Sequence, residues 1–239
     1  VMIVFDTKGD FYQSFYQPGD VVISNDATAC GPDGPDYWNI FNELELGEDM
    51  EVAINEISKT LFAQRLKNTT QPFFPNAAKD LFGAVLTHFS RNRGDFYCDN
   101  QALRQFMDAM PTAQLRKMLG QHPDLRATTR YIYDDSSGQT QGVLSELQQQ
   151  VRELFIGNFK KQGTLSMREL VRQKGGRMIF VEYDLSVGET LTPVYTLLFD
   201  LAIKEALGRK KSEGNVFFVV DEFRLLPNLT HIDDAVNFG

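Results

Sequence analysis

The sequence predicts an α/β fold: a mostly parallel sheet with helices on both faces, plus an all-α insertion. Three observations carry this reading. Short apolar runs of strand length stand at residues 1–5, 21–24, 177–183 and 215–220. A stretch of helical length, 189–207, lies between the last two, and strand, helix, strand with a right-handed crossover is the unit of a parallel sheet. Residues 99–161 have almost no strand-like pattern, whereas 101–110, 112–119 and 142–159 repeat their apolar residues with a helical period.

Taken in order, residues 1–5 are expected to form a fully buried strand, followed by a turn at Asp6-Thr7-Lys8-Gly9-Asp10 in which Gly9 can adopt positive φ. A short helix is expected over 11–15, a turn at Pro18-Gly19-Asp20 and a second strand at 21–24. A loop rich in Gly, Pro and Asp spans 26–36. From residue 48 to about 67, Val52, Ile54, Ile57, Leu61, Phe62 and Leu66 recur at roughly helical spacing, and Pro72 bars that helix from continuing. The next helix is expected from Pro75, or Asn76 as its cap, to about Ser90. Pro111 and Pro123 break the helical region, a short helix is expected over 165–173, and Gly175-Gly176 forms a turn. There is no internal repeat. The expected division is 1–98 as the first part of the α/β domain, 99–161 as the insertion, and 162–239 as the second part of the α/β domain.

Composition narrows the class. With 42% hydrophobic and 23% charged residues over 239 positions, the chain can bury a full core and is neither disordered nor collagenous. Its apolar runs are too short to span a bilayer. Residues 1–5 lack the basic start and cleavage pattern of a signal peptide, and Gly239 follows a helical-looking segment without a polar tail, so both ends of the sequence are expected to be cut. The two cysteines, Cys30 and Cys98, have no metal-ligand or disulfide spacing, which fits a reducing compartment. A net charge of −8 opposes a bulk electrostatic grip on DNA, so any such grip needs a local basic patch.

The chemistry-bearing signal is Val216-Phe217-Phe218-Val219-Val220-Asp221-Glu222, an apolar strand delivering two adjacent carboxylates at its carboxyl end. This is a Walker B pattern. Asp221 would hold Mg²⁺ through water, and Glu222 would orient or deprotonate the water that attacks the γ-phosphate of ATP. The pattern also occurs wherever a buried strand emerges into water. No Gly-x-x-x-x-Gly-Lys-Ser/Thr loop accompanies it, so an ATPase reading requires that loop upstream of Val1. Ligands of open α/β sheets bind beyond the carboxyl ends of the strands, which would bring Asp6 and Lys8 to the same edge as Asp221 and Glu222. Between residues 104 and 130, Arg104, Arg116, Lys117, Arg126 and Arg130 outnumber Asp108 and Asp124, with Tyr131 and Tyr133 close behind. That excess is a candidate nucleic-acid contact or an ordinary solvated face. Trp38 is expected to be a core anchor, with Asn42 and Glu43 fixing a loop by hydrogen bonds. His88, His122 and His231 are scattered and receive no metal or catalytic role.

Three stretches together resemble the TraG/TraD-type coupling proteins of conjugation, in the FtsK and HerA group of ring-shaped P-loop motors. They are the segment opening Val-Met-Ile-Val-Phe-Asp-Thr-Lys-Gly-Asp-Phe, the segment Trp38-Asn39-Ile40-Phe41-Asn42-Glu43, and residues 216–239 with Asp-Glu-Phe-x-x-Leu. The resemblance implies a RecA-like P-loop NTPase fold, with ATP and Mg²⁺ as cofactors. It implies an ATP-driven DNA translocase delivering single-stranded DNA and relaxase to a type IV secretion channel. Expected partners are single-stranded and double-stranded DNA, relaxase and relaxosome proteins, the channel, and further copies in a homo-hexamer. The expected place is the cytoplasmic side of an inner-membrane-anchored bacterial protein. This stretch alone is expected to be inactive, and a monomer or weak dimer. Two alternatives remain open: a secretion ATPase of the same superfamily acting on protein, and a non-catalytic relaxosome-binding module.

Overall fold

The computed structural model describes residues 1–26, 36–45, 47, 49–94, 98–173 and 175–238. Cys30 and most of the expected 26–36 loop lie outside the described residues. In chain order the elements are β1 (Met2–Asp6), α1 (Asp10–Phe15), β2 (Val21–Ser24), a 3₁₀ turn (Ile40–Glu43), α2 (Met50–Asn68), α3 (Phe73–Arg91), α4 (Asn100–Ala109) and α5 (Thr112–Gly120). Then come α6 (Gly138–Leu154), α7 (Met167–Arg172), β3 (Met178–Glu182), α8 (Gly188–Leu207), β4 (Phe217–Val220) and α9 (Ile232–Phe238). They form two compact units, one of residues 1–43 with 156–239 and one of 44–155. The helical unit starts at Leu44 and includes α2 and α3, whereas the sequence reading began the insertion at residue 99.

The first unit is the expected α/β frame. Its four strands are all parallel, in the order β2-β3-β1-β4, with Val4 opposite Phe180 on one side and Val219 on the other. Alternation along β1 sends successive side chains to opposite faces. Phe5 packs edge-on against Tyr183, Tyr195 and Phe199, with ring centroids 5.6, 6.1 and 5.4 Å away, so α8 covers that face. Val4 joins Val22 and Phe180 on the other face, where Phe11 and Tyr12 of α1 and the following Tyr16 pack. Burying such aromatic rings contributes roughly 1.5–3 kcal/mol each. β1 and β3 are buried along nearly their whole length, but β4 is only half-buried and Phe217 is 55% exposed. The apolar composition of β4 did not reveal this, because exposure follows from its place at the edge of the four described strands.

Trp38 is buried and anchors the segment before the 3₁₀ turn, as expected. Its Nε1 donates to Glu43 at 2.8 Å, and Asn42 donates to the Thr164 carbonyl at 2.8 Å. Glu43 also accepts from Ser166 Oγ at 2.9 Å and from the backbone N–H groups of Met167 at 2.6 Å and Arg168 at 3.2 Å. These amides open α7, so a buried carboxylate 120-odd residues earlier in sequence satisfies that helix's orphan donors.

In the second unit α2, α3 and α6 share a core that includes Ile57, Leu61, Phe62, Phe82, Leu147 and Val151. Val52, assigned by periodicity to the apolar face of α2, is 60% exposed instead, at the first turn of the helix. The chain turns from α2 to α3 around Pro72, and Pro75 sits inside the first turn of α3, where its missing N–H has no helical partner to lose. Asp99 caps α4 by accepting from Ala102 N at 2.7 Å. A Cβ at Gly142 would lie 2.5 Å from the Phe74 ring, so glycine permits the close approach of α6. Arg65 of α2 bridges Glu146 and Glu153 of α6 at 2.9 and 2.5 Å. The two histidines judged scattered are in fact paired: His88 Nδ1 lies 2.8 Å from His122 Nε2. Burial, then the neighbouring His122, lowers the His88 pKa. Among the described residues, no helix is long and apolar enough to cross a membrane and no group of three or more acids, histidines or cysteines gathers to hold a metal.

Candidate functional site

The carboxyl ends of the strands converge on one edge, which carries Asp6, Ser24, Glu182 and Asp221. Asp6 ends β1 and is buried. Its Oδ1 accepts from the N–H groups of Lys8 at 3.2 Å and Gly9 at 2.9 Å, and its Oδ2 accepts from Tyr12 N at 2.9 Å. Gly9 takes φ 74°, which lets the chain reverse directly into α1. Asp6 was expected to touch nucleotide. Its hydrogen bonds to amides of the turn and of the first turn of α1 make Asp6 the residue that fixes the chain between β1 and α1. Lys8 is exposed at the rim.

Glu182 ends β3 opposite Asp6 in the strand register and is 8% exposed. Burial, followed by the Asp6 carboxylate beside it, raises its pKa from 4.5 to about 8. At neutral pH it therefore holds a proton. Sequence reasoning missed this residue, although an acid closing the run Ile-Phe-Val-Glu was a visible signal of the same kind as Asp221. The chain leaves β1 toward α1 on one face and leaves β3 toward α8 on the other, so the gap between these neighbouring strands is a topological switch point. A cavity of about 360 Å³ lies there, lined by Lys8, Tyr12, Ser24, Glu182 and Asp184 among others.

The sign of the Glu182 effect is testable. A carboxyl whose folded pKa is raised contributes stability below its unfolded value near 4.5, and that contribution is lost as pH rises through about 8. Glu182→Gln keeps the uncharged shape. Its unfolding free energy should exceed that of the parent by about 1–3 kcal/mol at pH 8.5, with the gap closing toward pH 4.5, as measured by urea denaturation. A gap that does not change with pH would contradict a protonated Glu182.

On the other side of β1, Asp221 follows β4, and its N–H donates to Phe5 O at 3.3 Å. Thr7 Oγ1 donates to Asp221 Oδ2 at 2.6 Å. Asp221 is exposed, Glu222 is half-buried, and Glu222 Oε1 lies 3.2 Å from Arg224 Nε on a surface turn. The chain beyond is pinned to α8: buried Asp200 accepts from Thr230 N at 2.7 Å and His231 N at 3.4 Å, while Thr196 donates to Pro227 O at 3.4 Å. Burial raises the Asp200 pKa, against the pull of those amides. Sequence reasoning missed Asp200 and Thr7 as well. An acid inside the apolar run of α8 was a signal for the first, whereas the second emerges only from the strand register.

The donor set fits magnesium in one mode only. Asp221 is a single carboxylate with one oxygen held by Thr7, at an edge where the described residues provide no cage. Mg²⁺ is commonly bound in this way, through one or two carboxylates together with phosphate oxygens and water.

The basic candidates divide into two groups. Arg104 bonds Asp108 at 2.7 Å and the carbonyl of Phe155 at 2.8 Å, and Arg116 bonds Asp135 at 2.5 Å and the carbonyl of Ile132 at 2.8 Å. These two are built into the helical unit. Lys117, Arg126 and Arg130 are exposed and form no ion pair with a described residue.

Comparison with known families supplies the assignment. The profile of the family described as type IV secretion-system coupling protein DNA-binding domain matches residues 1–239. The chain belongs to this family. Among solved structures it is similar to the bacterial conjugative coupling protein TrwBdeltaN70 in complex with sulphate, with a TM-score of 0.74 and 15% identity over 100% of this chain and 53% of that one. It is likewise similar to plasmid coupling protein TrwB in complex with ADP and Mg²⁺, with a TM-score of 0.72 and 15% identity over 99% and 53%. The TrwB complex with the non-hydrolysable analogue ADPNP gives 0.71 and 15%, again over 99% and 53%. At this identity the likeness establishes the shared fold. The chain spans about half the length of these structures. No curated protein sequence matches it.

Proposed function

We propose that this coupling-protein chain is part of an ATP-driven motor that moves single-stranded DNA, with its relaxase, toward a type IV secretion channel. The observation that carries the reading is the carboxyl edge of β4, where Asp221 and Glu222 stand side by side at the end of a parallel strand. In this reading the intact protein forms a hexameric ring anchored in the inner membrane, with this part on the cytoplasmic side and the phosphate-binding loop in another part of the chain. TrwB complexes with ADPNP and with ADP and Mg²⁺ support ATP and Mg²⁺ as the cofactors.

Each residue at the edge has a task. Asp221 holds the water shell of Mg²⁺. Glu222 orients the attacking water and draws off its proton. Lys8 faces the phosphates from the rim, and Asp6 fixes the turn that carries Lys8. When bound, Mg²⁺ would neutralise charge building on the phosphate oxygens. The domain roles follow: the α/β unit serves nucleotide, and the helical unit faces the DNA-processing complex through Lys117, Arg126 and Arg130.

Two measurements test this reading. The full-length protein should release streptavidin from a 3′- or 5′-biotinylated single strand only when ATP is hydrolysed. Release that ADPNP supports equally would rule out translocation. Replacing Lys117, Arg126 and Arg130 together with Ala should lower single-stranded DNA affinity about tenfold or more near physiological salt and flatten its salt dependence, read by fluorescence anisotropy. An unchanged salt slope would remove these three residues from the DNA contact.

A further inference from the structure

A side-chain hydrogen bond at the carboxyl edge joins residues 214 positions apart. Thr7 follows β1, Asp221 follows β4, and the hydroxyl of one donates to the carboxylate of the other at 2.6 Å. Thr7 is 7% exposed. Its backbone is fixed from both sides: before it, β1 is paired with β3 and β4, and after it, Asp6 Oδ1 accepts from Lys8 N and Gly9 N. A β-branched side chain on a fixed backbone has few χ1 choices, so the hydroxyl is held ready at one place. Asp221 by contrast is exposed, at the point where the chain leaves β4 for a 3₁₀ turn. Without Thr7 its carboxylate would be free to rotate.

We propose that Thr7 is a positioning residue for Asp221: by holding Oδ2, it fixes the carboxylate and leaves Oδ1 to serve Mg²⁺ through its water shell. This deepens the function proposed above and rests on Asp221 serving Mg²⁺. A hydroxyl that donates to a carboxylate could have the opposite effect, competing with the metal for the same oxygens. The two effects give opposite signs on metal affinity, so the experiment decides between them.

The test uses the full-length protein with ADP bound and Mn²⁺ in place of Mg²⁺, with free Mn²⁺ read by electron paramagnetic resonance. Thr7→Val, which preserves the branched shape, should raise the Mn²⁺ dissociation constant about tenfold, the size expected for losing one charge-assisted hydrogen bond. Thr7→Ala should show the same rise, so the result does not depend on how well one variant packs. Thr7→Ser retains the hydroxyl and should recover most of the affinity. In steady-state hydrolysis, the Mg²⁺ concentration giving half-maximal rate should rise with it, while kcat at saturating Mg²⁺ changes less than about twofold. Equal or tighter Mn²⁺ binding by both Thr7→Val and Thr7→Ala overturns the proposal. Asp221→Asn separates the two levels. If it weakens Mn²⁺ binding and the Thr7 variants do not, only the positioning role fails. If Asp221→Asn has no effect, the reading of Asp221 fails and the positioning role falls with it.

Discussion

Glu222→Gln in the full-length protein should reduce ATP turnover by about 10²–10⁴-fold, the range attributed to a well-placed general base, while leaving nucleotide affinity within a few-fold. The substitution keeps the shape and removes the carboxylate that, in the proposed role, orients and deprotonates water. Its one ion pair among those described is with Arg224, whose side chain is 82% exposed, and such surface pairs contribute about 0–1 kcal/mol. Steady-state hydrolysis alongside binding of a fluorescent nucleotide analogue checks the prediction. Loss of binding parallel to loss of turnover would mean that Glu222 holds the nucleotide and does not act on water.

The second large effect is on stability. Glu43→Ala should destabilise the α/β unit by about 3–5 kcal/mol, because it strips the acceptor from buried donors that cannot reach water. Four groups converge on this carboxylate: Trp38 Nε1, Ser166 Oγ, and the amides of Met167 and Arg168. Its burial pushes the pKa up, and those four hydrogen bonds pull it back. Glu43→Gln retains one acceptor oxygen but turns an NH₂ toward the other donors, so its loss should be intermediate. Urea titration followed by Trp38 fluorescence reports on the site directly, since Trp38 is the only tryptophan and is itself a partner. A Glu43→Ala loss under about 1 kcal/mol would mean that solvent or a rearranged side chain satisfies those donors.

How much was legible in the sequence depended on whether the signal was local. β1 and the Asp221-Glu222 pair were legible because an apolar run ending in acids is a pattern of neighbours, and α8 because an apolar stretch of helical length is another. Trp38 and Glu43 were legible in role, since a lone tryptophan flanked by Ile40 and Phe41 buries. Thr7 and Glu182 were not, because their partners are set by strand register: Thr7 meets a residue 214 positions away, and Glu182 meets Asp6 only where β1 and β3 pair. Asp6 was legible as a residue of the edge, whereas its hydrogen bonds to the amides of Lys8, Gly9 and Tyr12 were not, because they depend on how the chain reverses into α1. The basic excess between residues 104 and 130 was legible, whereas the pairing of Arg104 with Asp108 and of Arg116 with Asp135 was not. The helical unit begins at Leu44 because α3 packs on both α2 and α6, a pairing that periodicity leaves open.

If the carboxyl edge of β4 drives DNA movement with ATP, as proposed, then ATP hydrolysis by the full-length protein, measured with and without single-stranded DNA, should rise several-fold with the DNA and be abolished by Glu222→Gln in both conditions. Turnover of the same rate with and without DNA, equally sensitive to Glu222→Gln, would contradict a DNA motor and place the chain among ATPases that act on protein.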